Sequence, residues 1–409
     1  MGHSFNKSVN NRLPEVVRLV QDLIRFQSVV GAEGPVVDFL STYLKDVGFQ
    51  VERLPISDDI VDDPEYTLVP GHVTYQGRPN LVARIGEGKG RSVILNTHCD
   101  VVPGKPELFE PRTDGDLIFG RGACDAKGQI AAAVLALLAL RDEGIRLAGE
   151  AIFEIVIEEE AGGNGSLALI RQGYTADAAV ILEPTNLHVY PANRGAVWFR
   201  LEVKGKSVHM GKYYEGVNAV EEMIGLLDIL RRYGMQLREE SRGNPMFPDD
   251  PSPVTVNVGT INGGDWPSTV PGNCVVEGGV SFLPNKRLSQ IREEMRHAIE
   301  SEAGEWAKAN YRLTFERLHN DAYETPVNHP AVQALCAAAD SVRGADPPTG
   351  FPASCDARLF WHEGKMPTIV CGPGEIGHAH SDNEQISMTQ IARAAEILAR
   401  FLVDWCGRQ

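Results

Sequence analysis

The chain has 409 residues, of which 43% are hydrophobic and 23% are charged. This composition excludes a disordered chain, because it supplies enough apolar side chains to fill buried cores. The formal net charge of −16 argues against a protein that binds nucleic acid or an acidic membrane surface, since basic patches provide the attraction in both cases.

Three further features concern the cellular compartment. The longest apolar run, residues 130–140, is shorter than the roughly 20 residues that span a bilayer. The first residues contain no long apolar stretch of the kind found in secretory signals. The seven cysteines are odd in number and show no Cys-x-x-Cys spacing, which favours a reducing compartment. We therefore expect a cytoplasmic protein, with neither a membrane nor a nucleic acid as its partner.

The first part of the chain alternates between helical and strand patterns. Apolar residues recur at helical spacing over residues 36–47, and Gly48 marks the end of that helix. Short apolar runs at residues 81–85, 92–97, 151–157 and 178–182 are typical of strands that are buried on both faces of an α/β sheet. The apolar run at residues 130–140 predicts a buried helix between the second and third of these strands.

The middle of the chain has an α+β pattern. It predicts strands at residues 198–204, 254–260 and 275–282, and helices at residues 217–233 and 288–310. From about residue 321 the α/β pattern returns, with a short strand at 368–371 and a final helix capped by Ser387. We predict an α/β catalytic domain with a mixed central sheet, formed by residues 1–193 and 321–409. A smaller α+β domain, residues 194–320, interrupts it.

The residues with chemical potential follow the predicted buried strands. His98 and Asp100 come directly after the strand at 92–97, and Asp125 comes just before the apolar helix. In open α/β sheets such strand ends are where sites form. Taken alone, His98 fits either a loop histidine or a metal ligand whose ring is oriented by a carboxylate. Asp125 alone fits a helix cap equally well.

Three successive carboxylates, Glu158, Glu159 and Glu160, follow the strand at 151–157. They repel one another unless a cation neutralises them or one of them is protonated. Adjacent side chains in an extended segment point in opposite directions, so Glu159 and Glu160 need a turn to serve one site. The glycines that follow would permit such a turn.

Two more strand ends carry candidate ligands. Glu183 follows the strand at 178–182, and a segment containing His378 and His380 follows the last strand. The chain thus places histidines and carboxylates at several strand ends of one domain. Such sets suit zinc and related divalent ions, and two metals can share one carboxylate.

These motifs, in this order, resemble those of the dinuclear zinc amidohydrolase family that includes acetylornithine deacetylase, succinyl-diaminopimelate desuccinylase, aminoacylase and carboxypeptidase G. The resemblance implies two zinc ions per chain, with Mn²⁺ or Co²⁺ as substitutes. It implies that one ion is held by His98, Asp125 and Glu183, and the other by Asp125, Glu160 and His380. Asp100 would orient His98, and Glu159 would be the general base.

The resemblance extends to the inserted domain, which corresponds to a lid and dimerisation domain. The segment around Gly205, His209 and Gly211 is similar to the family's lid motif, and it implies that His209 stabilises the oxyanion across a homodimer. The segment Ser354–Arg358 is similar to one in which desuccinylases place an arginine on the substrate carboxylate. Arg358 is therefore a candidate for substrate binding, with a surface ion pair as the alternative.

The function that follows is metal-dependent hydrolysis of the amide bond of a small N-acylated amino acid or amine. A dipeptidase or carboxypeptidase on the same site is the nearest alternative. A metal-binding protein without turnover is a third hypothesis. The chain has no Gly-x-Ser-x-Gly segment, so a serine hydrolase of that type has no support.

Overall fold

The computed structural model describes residues 4–69, 74–248 and 254–409. The chain divides into two compact units. The first unit comprises Met1–Ala192, Glu324–Phe351 and Cys355–Gln409, and the second comprises Asn193–Tyr323 and Pro352–Ser354.

The helices of the described residues alternate with strands in the first unit and lie against one sheet in the second. In chain order the helices are α1 (Asn6–Ile24), α2 (Gly34–Asp46), α3 (Gly128–Asp142), α4 (Asn164–Arg171), α5 (Ala219–Glu240), α6 (Leu288–Glu302), α7 (Glu305–Asn310), α8 (Pro330–Arg343), α9 (Ala357–His362) and α10 (Met388–Cys406).

The strands range from two to ten residues. In chain order they are β1 (Val51–Leu54), β2 (Asn80–Gly86), β3 (Ser92–His98), β4 (Arg112–Asp114), β5 (Leu117–Phe119), β6 (Glu150–Val156), β7 (Ala179–Ile181), β8 (Ala192–Asn193), β9 (Gly195–Lys204), β10 (Thr255–Gly263), β11 (Asn273–Phe282), β12 (Tyr311–Thr314), β13 (His319–Asn320), β14 (Tyr323–Glu324), β15 (Gly350–Phe351), β16 (Thr368–Val370) and β17 (Gln385–Ser387).

The central sheet of the first unit has the strand order β1–β2–β6–β3–β7–β16. Strands β6, β3, β7 and β16 are parallel to one another, whereas β1 and β2 pair in antiparallel fashion at one side. The predicted α/β class with a mixed sheet is confirmed. Because the four parallel strands share one direction, their carboxyl ends lie at one edge of the sheet. Candidate ligands lie at or just after these strand ends.

Helix α3 is apolar on every side, and its residues from Gly128 to Leu140 are all buried. A helix with no polar face is stable only when it is covered on all sides. Here α1, α10 and β3 surround it. With the turn before it, Ala123–Asp142, the helix is long and apolar enough to cross a membrane, but its most apolar 18-residue window is entirely buried inside the unit, as in core helices of folded domains.

One carboxyl group lies in the middle of this sheet. Glu154 on β6 is fully buried, and its Oε2 accepts a hydrogen bond of 3.0 Å from Asn96 Nδ2. Its Oε1 has no hydrogen-bond partner among the described residues. Burial raises the pKa of Glu154 to about 8. The folded chain therefore keeps this proton at a pH where the unfolded chain has lost it, so the contribution of Glu154 to the free energy of unfolding falls as the pH rises.

We expect Glu154→Gln to become more stable relative to the wild type as the pH is raised from 5.5 to 8. The difference in unfolding free energy should grow by at most about 1.4 kcal/mol per pH unit, because one proton is involved. Urea denaturation at several pH values measures it. Glu150→Gln, on the same strand but paired with Arg84 at the surface, is the control. A difference that does not change with pH would contradict the prediction.

The second unit is built on an antiparallel sheet with the order β10–β11–β9–β12. Residues along β9 alternate between buried and more exposed positions, which is the pattern of a strand with one covered face. Helix α5 begins at Ala219, two residues after the predicted start, and ends at Glu240, beyond the predicted end at residue 233. The Asn218 side chain caps it by accepting hydrogen bonds from the N–H groups of Val220 and Glu221.

The prediction of one continuous helix over residues 288–310 is wrong. Helix α6 ends at Glu302, and α7 starts again at Glu305. Between them Ala303 and Gly304 have extended backbone angles, with ψ of 155° and 160°. Gly304 was the available signal, because glycine in a helix interior is unfavourable.

Candidate metal centre

The first unit gathers the predicted ligands at the carboxyl edge of its central sheet. His98 is the last residue of β3, Glu183 follows β7 by two residues, and Glu160 lies in the loop after β6. His380 lies in the loop after β16. Asp125 lies in the turn Ala123–Lys127 that precedes α3.

These five side chains form two groups of three that share one member. His98, Asp125 and Glu183 form the first group, and Asp125, Glu160 and His380 form the second. Within each group one possible ligand atom from every residue lies within 4.8 Å of the others. In the first group His98 Nε2 is 3.0 Å from Asp125 Oδ1. In the second, His380 Nε2 is 3.3 Å from Asp125 Oδ2 and 3.0 Å from Glu160 Oε2.

The turn that the sequence required is made at Glu158, not at the glycines alone. Glu158 has a positive φ of 60°, a conformation that costs a residue other than glycine about 1–3 kcal/mol. The N–H groups of Gly162 and Gly163 then donate to the carbonyls of Glu159 and Glu158, each at 2.8 Å. The alternation of side chains between the two faces of the strand ends at this turn. Glu159 and Glu160 can therefore point to the same side.

Asp100 holds the start of this loop. Its Oδ1 accepts a hydrogen bond of 3.2 Å from the N–H of Glu159, and its Oδ2 accepts one of 3.1 Å from the N–H of Glu160. The nearest acceptor for His98 Nδ1 is the backbone carbonyl of Asp100 at 3.1 Å, with the carboxylate at 3.4 Å. Asp100 thus contacts both the ring of His98 and the segment that carries Glu159 and Glu160.

The electrostatics of the cluster favour a cation. Desolvation and the charge of Asp125 raise the pKa of Glu183 well above the usual range. Desolvation and the charge of Glu183 do the same to the pKa of Glu159. Desolvation and the charge of Asp125 raise the pKa of Glu160 to about 7. Desolvation also opposes ionisation of Asp125, but hydrogen bonds to His380 and His98 hold its pKa below the usual range. Carboxylates packed this closely repel one another, and the charge of divalent metal ions would offset that repulsion.

A second buried carboxylate positions Asp125, and the sequence reasoning missed its role. Glu384 Oε1 accepts hydrogen bonds of 3.1 Å from the N–H groups of Cys124 and Asp125. Its Oε2 pairs with Arg121 at 2.6 Å. Arg121 and Glu384 each lie inside one of the motifs, which was the available signal. They are 263 positions apart, and no sequence pattern indicates that they pair.

The first of the three successive glutamates pairs with a protein side chain and belongs to neither group of candidate ligands. Glu158 is buried and pairs with Arg78 at 2.5 Å. The sequence reasoning did not single out Arg78. No motif marks it, and only the folded chain brings it to Glu158.

The two remaining predicted residues are placed as follows. Arg358 on α9 is buried, and its Nη2 donates a hydrogen bond of 3.0 Å to the carbonyl of Gly162, with Glu65 3.5 Å from Nη1. Its predicted contact with a substrate stays a prediction. His209 lies in the second unit and is exposed. Its Nδ1 accepts a hydrogen bond of 3.1 Å from the N–H of Gly211.

Comparison with known proteins decides the family. The model of peptidase family M20/M25/M40 matches residues 94–404, which is well over half of the chain. The chain belongs to this family. The resemblance that the motifs indicated is confirmed, and this M20 family member is a metal-dependent amidohydrolase.

Relatives and solved structures cover nearly the whole chain. N-formyl-4-amino-5-aminomethyl-2-methylpyrimidine deformylase of Bacillus subtilis is 26% identical, over 100% of this chain and 98% of its own. Acetylornithine deacetylase of Photorhabdus laumondii is 27% identical, over 97% of this chain and 99% of its own. The structure of aminopeptidase PepT from Bacillus cereus is 20% identical, with a TM-score of 0.76 over 95% of this chain and 98% of that one, and it shows the same fold.

Proposed function

We propose that this M20 enzyme is a deacylase that removes a small acyl group, such as formyl or acetyl, from an N-acylated amine or amino acid. The observation that carries the proposal is the pair of three-ligand groups that share Asp125, with Glu159 directly before one of the ligands. The preference for a deacylase over a peptidase is supported by the deformylase and the deacetylase, which match this chain from end to end. The peptidase structure, at 20% identity, supports the fold alone.

We propose that the centre takes two zinc ions, with Mn²⁺ or Co²⁺ as substitutes. The first would be held by His98, Asp125 and Glu183, and the second by Asp125, Glu160 and His380. The donor set of imidazole and carboxylate groups suits these metals. When bound, such ions supply Lewis-acid activation of a water molecule and of the substrate carbonyl.

The remaining steps would be carried by side chains of the enzyme. Glu159 would accept the proton of the attacking water on its carboxylate and then deliver it to the leaving amine. The Asp100 carboxylate would keep Glu159 in place by accepting a hydrogen bond from the backbone N–H of Glu159. It would also orient the ring of His98. Asp100 also accepts a hydrogen bond from the N–H of Glu160. Its single carboxylate would therefore align the base Glu159 with the two metal ligands that it contacts, His98 and Glu160.

His209 would donate to the oxyanion of the tetrahedral intermediate. Its Nδ1 already accepts a hydrogen bond from the N–H of Gly211. In the neutral ring the proton therefore resides on Nε2, which is the tautomer that can donate to an oxyanion. We propose that this histidine serves the active site of a partner protomer in a cytoplasmic homodimer. Arg358 would bind a carboxylate of the substrate where the substrate has one.

The experiment that tests the function is metal analysis combined with a substrate panel. Purified protein is loaded with zinc, its metals per chain are counted, and release of amine is assayed from N-formyl, N-acetyl and N-succinyl compounds and from dipeptides. We expect two metals per chain and the highest kcat/KM on a formyl or acetyl compound. A dipeptide as the best substrate would replace the deacylase with the peptidase alternative. Two metals without turnover on any substrate would contradict both.

A further inference from the structure

We infer that Arg78 is a positioning residue for the amide hydrolysis. By holding the carboxylate of Glu158 inside the protein, it would maintain the turn that directs Glu159 and Glu160 towards the metal centre. The kinetic part of this inference rests on the proposed function, whereas the part that concerns metal affinity does not.

Arg78 stands at the centre of a buried ion-pair network. This residue lies just before β2, and only 4% of its surface is exposed. Its Nη2 donates to Glu158 Oε1 at 2.5 Å. Its Nε and Nη2 donate to the two carboxylate oxygens of Glu33 at 2.7 Å and 2.8 Å. One buried guanidinium therefore joins two carboxylates that are themselves 1% exposed or less.

Two further side chains hold the carboxylate of Glu158. Its Oε2 accepts hydrogen bonds from the hydroxyl of Tyr75 at 2.7 Å and from Asn164 Nδ2 at 3.0 Å. Both of these partners are neutral. Among the described residues, Arg78 is the cation that pairs with Glu158, and it supplies the charge that makes burial of this carboxylate tolerable.

The Arg78–Glu158 pair is linked to the reacting groups through the backbone. Glu158 has a left-handed backbone, and the two residues after it donate their N–H groups to Asp100. If the carboxylate of Glu158 left its place, the turn would lose the contact that compensates its unfavourable conformation. The freed carboxylate would also lie next in sequence to the general base and compete for the same cations.

The test uses substitutions that separate the charge of Glu158 from the stability of the network. We expect Arg78→Gln to weaken binding of one of the two metals about 10-fold or more, because supporting residues contribute on this scale. Chelator competition with Co²⁺-loaded protein measures it without turnover, and the Co²⁺ absorption spectrum should change. We expect kcat on the best substrate to fall about 100-fold with KM nearly unchanged, as a displaced reacting group would cause.

The decisive variant is the double substitution Arg78→Gln, Glu158→Gln. Because it removes the charge of Glu158 together with the cation that balances this charge, it should recover most of the lost metal affinity and kcat, although Glu33 still loses its partner. A double variant as impaired as Arg78→Gln would overturn the inference. Glu33→Gln is the matched control, since it breaks the other ion pair of the same arginine. It should lower stability and leave kcat and metal affinity within about 2-fold, because it does not touch the loop. An equal loss of both in Glu33→Gln would also overturn the inference.

Arg78→Gln removes a buried charge, and its failure to fold would leave Glu158→Asp to decide the question. The shorter side chain keeps the charge but withdraws it from Arg78, so we expect weaker binding of the same metal. Wild-type kcat and metal affinity in folded Glu158→Asp would overturn the inference. A wild-type protein that binds two metals and hydrolyses none of the substrates would refute the proposed function instead, and the metal affinities of the variants would still test the role of Arg78.

Discussion

Replacement of Glu159 by glutamine is expected to lower kcat about 1,000-fold while both metals stay bound, since a positioned general base contributes roughly 10²- to 10⁴-fold. Glutamine has nearly the same shape as glutamate but cannot accept the proton of the attacking water. Glu159 belongs to neither group of ligands, so its charge is not needed to retain the ions. Steady-state kinetics and metal analysis on the same preparation measure the two effects together.

Glu52→Gln is the matched control for this substitution. Glu52 lies on β1 with 56% of its side chain exposed, and the same chemical change there should alter neither kcat nor metal content. Wild-type turnover in Glu159→Gln would remove this residue from the role of base. Loss of metal from Glu159→Gln would make it a ligand, and the assignment of Glu160 would then need revision.

Replacement of Asp125 by asparagine is expected to have the largest effect of all. Asp125 is the single residue that both three-ligand groups share. An amide is a much poorer ligand for zinc than a carboxylate, so one substitution should weaken both sites at once. We expect metal content well below one ion per chain and kcat/KM at least about 1,000-fold lower, since metal activation and oriented proton transfer are then both lost. Elemental analysis after dialysis and the deacylase assay check it.

The other ligands provide internal comparisons for Asp125→Asn. Glu183→Gln should weaken the first metal only, and Glu160→Gln the second only, because each belongs to one group. Asp22→Asn, a change of the same chemistry on the exposed face of α1, should leave both metals bound. An Asp125→Asn protein that still binds two metals with wild-type affinity would show that the two groups do not share this ligand.

Much of the fold and all five candidate ligands could be predicted from the sequence. Strands β3, β6 and β7 are recognisable in the sequence as short apolar runs, and these runs are followed by the polar residues His98, Glu158 and Glu183. Because parallel strands end at one edge of a sheet, side chains far apart in the chain were expected to meet there. The break between α6 and α7 was missed because the helical pattern continues across Gly304.

The sequence alone determined which residue types follow the parallel strands, and with them the resemblance to the family and the candidate metal ligands. Only the tertiary structure decided how the acidic segment after β6 is arranged. In the folded chain the backbone turns at Glu158, and the Glu158 carboxylate pairs with Arg78. The N–H groups of Glu159 and Glu160 donate hydrogen bonds to Asp100. The physical reason is distance along the chain. Local patterns report burial and strand ends, whereas the pairing of a buried charge depends on which residues 59 to 80 positions away the fold brings beside it.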